Sequence, residues 1–154
     1  DPGFLGIAVP LPRPADGREV RDVPYPRFSV LLDPARRLAA MTGVNIDGAT
    51  LRDLPRTGEW RLDPRVPADE QAGPELYARN DLDRGHLVRR RDPGWGDPAA
   101  ARAASEATFA YPNAAPQASG APAPRMPLAP IMPLERSAIC MEPPLPRQEP
   151  MALP

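Results

Sequence analysis

The chain has 154 residues, room for one domain with a modest core, but 25 prolines and only 5% aromatic residues argue against packing along its whole length. A formal net charge of −1 excludes bulk attraction to nucleic acid, so any such binding has to come from a local patch. One cysteine, Cys140, and one histidine, His86, exclude an internal disulfide and a cysteine-based zinc site, which leaves oxygen ligands and favours Mg2+ or Mn2+.

Every basic residue is an arginine. Codon bias in GC-rich DNA explains the global absence of lysine, and planar bidentate phosphate recognition is left to particular positions. No run is long and apolar enough to span a membrane, and no signal peptide is visible. The opening Asp1-Pro2 reads as an interior cut. A secretion signal or another domain upstream, and hence a secreted or extracytoplasmic location, stays open.

Residues 1–26 are rich in proline and charge and read as an extended arm, with Phe4-Leu5-Gly6-Ile7 as a hydrophobic anchor. Phe28–Leu32 and Leu38–Asn45 read as two strands. Between them Asp33-Pro34-Ala35-Arg36 has the residues of a type I turn, and the whole reads as an antiparallel hairpin. The second run, rich in Leu, Ala and Met, suits a helix equally by propensity. Residues 46–75 carry many turn formers and read as irregular. Trp60 falls there and is expected in the core; Arg52 and Asp53 are surface charges by default.

Residues 82–88 are expected to form a strand or strand-like loop carrying His86, with Gly85 where the backbone bends and substrate approaches. Pro98–Ala107 is expected to be helical, with Asp97 as its N-cap and Pro98 in its first turn. Thr108–Tyr111 reads as the next strand, closed by Asn113–Gln117. From Ala118 to Pro154 a proline recurs every few residues, and four of the five methionines lie there. That tail reads as disordered or polyproline-like.

Chemistry concentrates at Asp83-Arg84-Gly85-His86-Leu87, followed by Arg89, Arg90 and Arg91. An imidazole among guanidinium groups suits phosphodiester hydrolysis, because it takes a proton from water while the arginines meet phosphate charge. Taken alone, a lone histidine beside an arginine run is more often ordinary surface structure. The flanking residues change that balance. Arg56-Thr57-Gly58-Glu59-Trp60, Asp63-Pro64-Arg65, Glu75-Leu76-Tyr77, the Leu82–Arg90 run, Asp92-Pro93-Gly94-Trp95-Gly96, Thr108-Phe109 and Asn113-Ala114-Ala115-Pro116-Gln117 occur in one order. In that order they resemble the DNA/RNA non-specific endonucleases, the ββα-metal nucleases marked by Asp-Arg-Gly-His. Phe28-Ser29-Val30 and Val44–Gly48 resemble the opening hairpin of that family. The resemblance runs over residues 3–117.

The resemblance implies an α+β, ββα-metal (His-Me finger) fold with an antiparallel sheet and an incomplete C-terminal part. It divides the chain into 1–117, the N-terminal part of the endonuclease domain, and 118–154, the tail. It implies a sugar non-specific endonuclease that hydrolyses DNA and RNA. His86 would be the general base, Arg84 and Arg56 would meet transition-state charge, and Arg89 and Arg90 would bind flanking phosphates. Asp83 would fix metal-bound waters or the local backbone, and Asn113 would be a structural strand-end residue. Family members continue with a helix whose asparagine holds Mg2+ or Mn2+. Here that position is Pro122, so the metal ligand is unassigned, and little or no nuclease activity is expected. Three readings follow: an endonuclease whose reading frame or gene was altered after Gln117, a non-catalytic nucleic-acid-binding relic, and a proline-rich interaction protein.

Overall fold

The computed structural model describes residue 10 and residues 12–120. The anchor expected at Phe4–Ile7, the Pro122 position and all but the first residues of the proline-rich tail lie outside them. Three strands form an antiparallel meander in the order β1 (Arg21–Tyr25), β2 (Phe28–Asp33) and β3 (Leu38–Val44). The expected hairpin is therefore present, and its second run is a strand. The extended arm is corrected: Arg21–Tyr25 pairs along β2, from Arg21 opposite Leu32 to Tyr25 opposite Phe28. Proline misled the reading. Pro24 sits on an edge strand, where a missing N–H costs no ladder bond, while Val23 is buried. Pro26 and Arg27 make the tight turn. Arg27 has φ +68°, and its guanidinium holds that strained position by stacking 3.9 Å from the Trp95 ring centroid and donating to the Pro93 carbonyl at 2.9 Å.

Phe28, Val30 and Leu32 alternate along β2 and meet Val23, Val66, Val88 and Ala107 in one core cluster. Asp33 caps the β2–β3 turn by accepting from the Arg36 amide at 3.1 Å. Beyond β3 the chain is irregular, as expected. It is organised by buried Gln71, whose carboxamide accepts from the Asp63 amide at 2.8 Å and donates to the Asp63 and Val66 carbonyls. Short 3-10 turns at Ala68–Glu70 and Pro74–Tyr77 lead to a second, two-stranded antiparallel sheet.

That sheet pairs β4 (Leu82–His86) with β5 (Ala114–Ala118), placing His86 opposite Ala114 and Asp83 opposite Gln117. Between them lies α1 (Pro98–Ala107). Its N-cap is Asp97, which accepts from the amides of Ala99 (3.0 Å) and Ala100 (2.9 Å), with Pro98 in the first turn. Ala101, Ala104, Ser105 and Ala107 form the buried stripe, and their small side chains let the helix lie close to the body.

The strand expected at Thr108–Tyr111 is not formed. The Thr108 amide and hydroxyl both return to the Ser105 carbonyl, at 3.2 and 2.6 Å, and the Phe109 amide returns to Glu106. Tyr111–Asn113 then makes a 3-10 turn around Pro112. Within the expected strand only Ala110 pairs, in a single parallel bridge to Arg61, and a continuous ladder begins at Ala114, one residue after the expected closing segment begins. The aromatic side chains at 109 and 111 are thereby turned into the body instead of alternating across a ladder.

Candidate active site

The alternation of β4 sends Leu82, Arg84 and His86 to one face and Asp83 and Gly85 to the other. The first face meets aromatic rings. His86 lies 4.5 Å from Trp60 and 4.7 Å, edge-on at 89°, from Phe109, centroid to centroid. Trp60 also reaches Phe109 at 5.6 Å and Tyr111 at 5.9 Å, so it is a half-buried packing residue, as expected. Arg84 donates through Nε to the Tyr111 hydroxyl at 3.2 Å, with its guanidinium 5.0 Å from the Tyr77 ring centroid. These contacts hold Arg84 and His86 against a floor of aromatic rings. Of the two imidazole nitrogens, only Nε2 is both buried and without a hydrogen-bond partner.

Burial pushes the imidazole pKa down to about 4, and the charges of Arg56 and Arg90 push it the same way. His86 is therefore neutral near pH 7. The two arginines come from different segments. Arg90 donates to the Leu54 carbonyl at 2.7 Å, which pins the strand-like stretch that carries Arg56. Arg56 is exposed and makes no hydrogen bond or ion pair among the described residues. Two residues on, Gly58 has φ +132°, and a Cβ there would stand 2.4 Å from the Phe109 ring. The Arg56–Trp60 stretch thus lies flat on the ring that touches His86, which only glycine allows. Gly58, Phe109, Tyr77 and Tyr111 frame the site but were not singled out for it from sequence. Their signal was present in the matched segments; their joint position was not.

The other expected residues divide. Asn113 is fully buried. Its Oδ1 accepts from the Val88 amide at 2.9 Å, and its Nδ2 donates to the carbonyls of Val88 (3.0 Å) and Thr108 (2.9 Å). Its own carbonyl accepts from the Leu87 amide at 3.0 Å. It clamps the segment after His86 to the end of α1, with both atoms of its buried carboxamide engaged in that clamp. Asp83 is exposed on the opposite face from His86, and the two are not brought together. Gln117 folds over Gly85, where a Cβ would come 2.5 Å from its Oε1. Arg89 is paired with Asp92 through its amide (3.1 Å) and Nε, while Arg91 pairs with Asp53.

No three His, Cys, Asp or Glu side chains cluster among the described residues. The Asn113 carboxamide is buried and engaged, and Asp83 faces away from His86, so neither is placed to hold a cation beside the imidazole.

Antiparallel sheets with one helix are consistent with the α+β fold of the ββα nucleases. Residues 13–121 match the DNA/RNA non-specific endonuclease family, and the chain belongs to it. It is also similar to an uncharacterized protein, y4fB, of Sinorhizobium fredii (strain NBRC 101917 / NGR234), with 41% identity over 135 residues. That alignment covers 74% of this chain and 20% of the relative, so the chain spans about a fifth of that protein's length.

Proposed function

We propose that residues 13–121 form the phosphodiester-binding and general-base part of a sugar non-specific endonuclease acting on the backbone of DNA and RNA. The observation that carries this reading is His86, a neutral imidazole on β4 lying in the field of Arg56 and Arg90 and two residues from Arg84. With its proton on buried Nε2, the ring offers the Nδ1 lone pair to a water molecule. As the water gives a proton to Nδ1, its oxygen bonds to phosphorus and the bond to the 3′ oxygen breaks, the departing oxygen taking up a proton from solvent. Arg84 and Arg56 meet the charge gathering on the phosphoryl oxygens, and Arg90 binds a neighbouring phosphate. A bound phosphate also offsets the field of Arg56 and Arg90, so substrate raises the basicity of the group that must act on it. Recognition through the backbone leaves base identity and the 2′ position unread, which suits both DNA and RNA.

In the family, a metal such as Mg2+ neutralises the phosphate and the leaving oxygen. The described residues hold no donor set for it, and the expected ligand position, Pro122, lies outside them. General-base action contributes about 10²–10⁴-fold alone, small against what phosphodiester hydrolysis requires. Binding with weak cleavage is therefore the expected behaviour. The buried Asn113 carboxamide, engaged in the Val88–Thr108 clamp, favours, as second reading, a nucleic-acid binder without catalysis.

Incubation with plasmid DNA and with RNA in Mg2+ or Mn2+, comparing the unmodified chain with His86→Ala, tests the proposal. Binding of both nucleic acids with slow, His86-dependent cleavage is expected. Binding without any His86-dependent cleavage selects the second reading. Failure to bind either polymer would sink both readings, and rapid metal-dependent cleavage would show that the metal site is complete.

A further inference from the structure

A pocket of about 360 Å³ lies beside the arginine run, lined by Ile46, Leu51, Arg89, Arg90, Arg91 and Asp92. Its floor is aliphatic. Ile46 and Leu51, 44% and 48% exposed, are two of the five large hydrophobic side chains that the described surface leaves open. They are held in place from behind. Leu51 bridges Trp95, the Arg52 amide donates to the Gly94 carbonyl at 2.8 Å, and the Gly96 amide to the Thr50 carbonyl at 3.0 Å. The wall is the Arg89–Asp92 turn, closed by the Asp92 amide on the Arg89 carbonyl at 2.9 Å. The Arg89–Asp92 and Arg91–Asp53 pairs are largely open to solvent on the arginine side, with 67% and 56% of those side chains exposed. Arg90 has no carboxylate partner among the described residues.

We propose that this pocket is a nucleobase subsite, holding an unpaired base of the nucleotide next to the phosphodiester that His86 faces. The proposal rests on the functional reading of His86 and deepens it. Arg90 lines the pocket and also acts electrostatically on His86. A strand whose phosphate meets Arg90 therefore has its adjoining base beside Ile46 and Leu51. A flat, largely apolar ring next to a negative charge matches an aliphatic floor rimmed by guanidinium groups, which also stack on base faces. The volume lies near the lower end of ligand pockets and suits one nucleoside. The floor has no hydrogen-bonding side chain, so it accepts any base. A base stacked within a duplex cannot enter, and single-stranded or frayed substrate is therefore preferred.

The test uses the full-length chain carrying His86→Ala, with fluorescein-labelled oligothymidylate and an abasic oligonucleotide of the same length, in EDTA. The thymidylate strand is expected to bind about tenfold more tightly. The double change Ile46→Ser, Leu51→Ser is expected to erase that advantage while the abasic strand keeps its affinity and salt dependence. Equal affinity for the two strands overturns the subsite but leaves the phosphate reading standing, as does a tenfold advantage that survives in the double variant. Failure of both strands to bind overturns the functional reading and the subsite with it. A measurement independent of these variants is methyl NMR of Ile46 and Leu51. Thymidine 5′-monophosphate is expected to shift these methyl signals and deoxyribose 5-phosphate to leave them in place; equal shifts, or none, would count against the subsite.

Discussion

At the scale of single residues, half-buried His86 and buried Asp63 and Asn113 are the polar side chains whose surroundings set their behaviour. His86 is held neutral by burial and by Arg56 and Arg90, with its pKa lowered from 6.5 to about 4. Above 6.5 both folded and unfolded chains carry a neutral ring. Between 6.5 and 4 the unfolded chain binds a proton that the folded chain refuses, so stability falls as pH drops through that window and levels off below it. Asp63 acts lower. Burial raises its pKa, but Arg65 and Tyr25 more than offset this and hold it at about 2, so its contribution fades only below its ordinary 3.8. Imidazole proton shifts are expected to give a midpoint near 4, and His86→Leu is expected to flatten the stability profile between pH 6.5 and 4. A midpoint at 6.5 would remove the charge field from the site. For Asn113→Ala, the buried Val88 amide and the Val88 and Thr108 carbonyls lose their partner. A loss of about 2–4 kcal/mol is expected by urea unfolding.

At the scale of elements, helix α1 was the most legible part of the chain. Asp97, Pro98 and the alanine run are local signals, and the helix has the expected bounds. Asp97→Ala is expected to cost about 1 kcal/mol in thermal or urea melts, since it leaves the Ala99 and Ala100 amides uncapped. The Arg56–Trp60 stretch behaves otherwise, because its conformation is dictated by a distant ring. Gly58→Ala meets Phe109 at 2.4 Å in a backbone region unfavourable to alanine. It is expected to destabilise the fold and to move the His86 midpoint up toward 6.5 as the aromatic packing opens, both visible in one NMR titration. An unshifted midpoint in a folded Gly58→Ala protein would detach this segment from the site.

For the molecule as a whole, charge is local in its effect. A net charge of −1 provides no general attraction, so binding is expected to rest on Arg56, Arg84 and Arg90. Three phosphate contacts correspond to a log–log salt slope of about −2 to −3, and Arg90→Ala is expected to reduce its magnitude by about one. Anisotropy measurements between about 50 and 200 mM salt check both values. A slope of zero would mean that these arginines do not meet phosphate.

The helix with its cap and the turn after β2 were determined by the sequence itself, because each depends on neighbours within a few residues; the second run of the hairpin suited a helix equally, and only the family resemblance made it a strand. The family was legible for a related reason, since its motifs are short and keep their order. Two elements were misread where long-range contacts outweigh local preference. Arg21–Tyr25 looked like an arm because prolines flank it, and only the edge of β2 makes it a strand. Thr108–Tyr111 read as a strand, yet the last turn of α1 captures the amides of Thr108, Phe109 and Ala110. The site is the clearest case of tertiary decision. Arg56, Arg84, His86 and Arg90 are all visible as residues, but the field on the imidazole depends on which of them fold toward it. Strand alternation and the Asn113 clamp decide that, turning Asp83 away and leaving the Asn113 carboxamide buried and engaged. Those outcomes depend on which backbone groups need partners once the chain is folded, which no local pattern specifies.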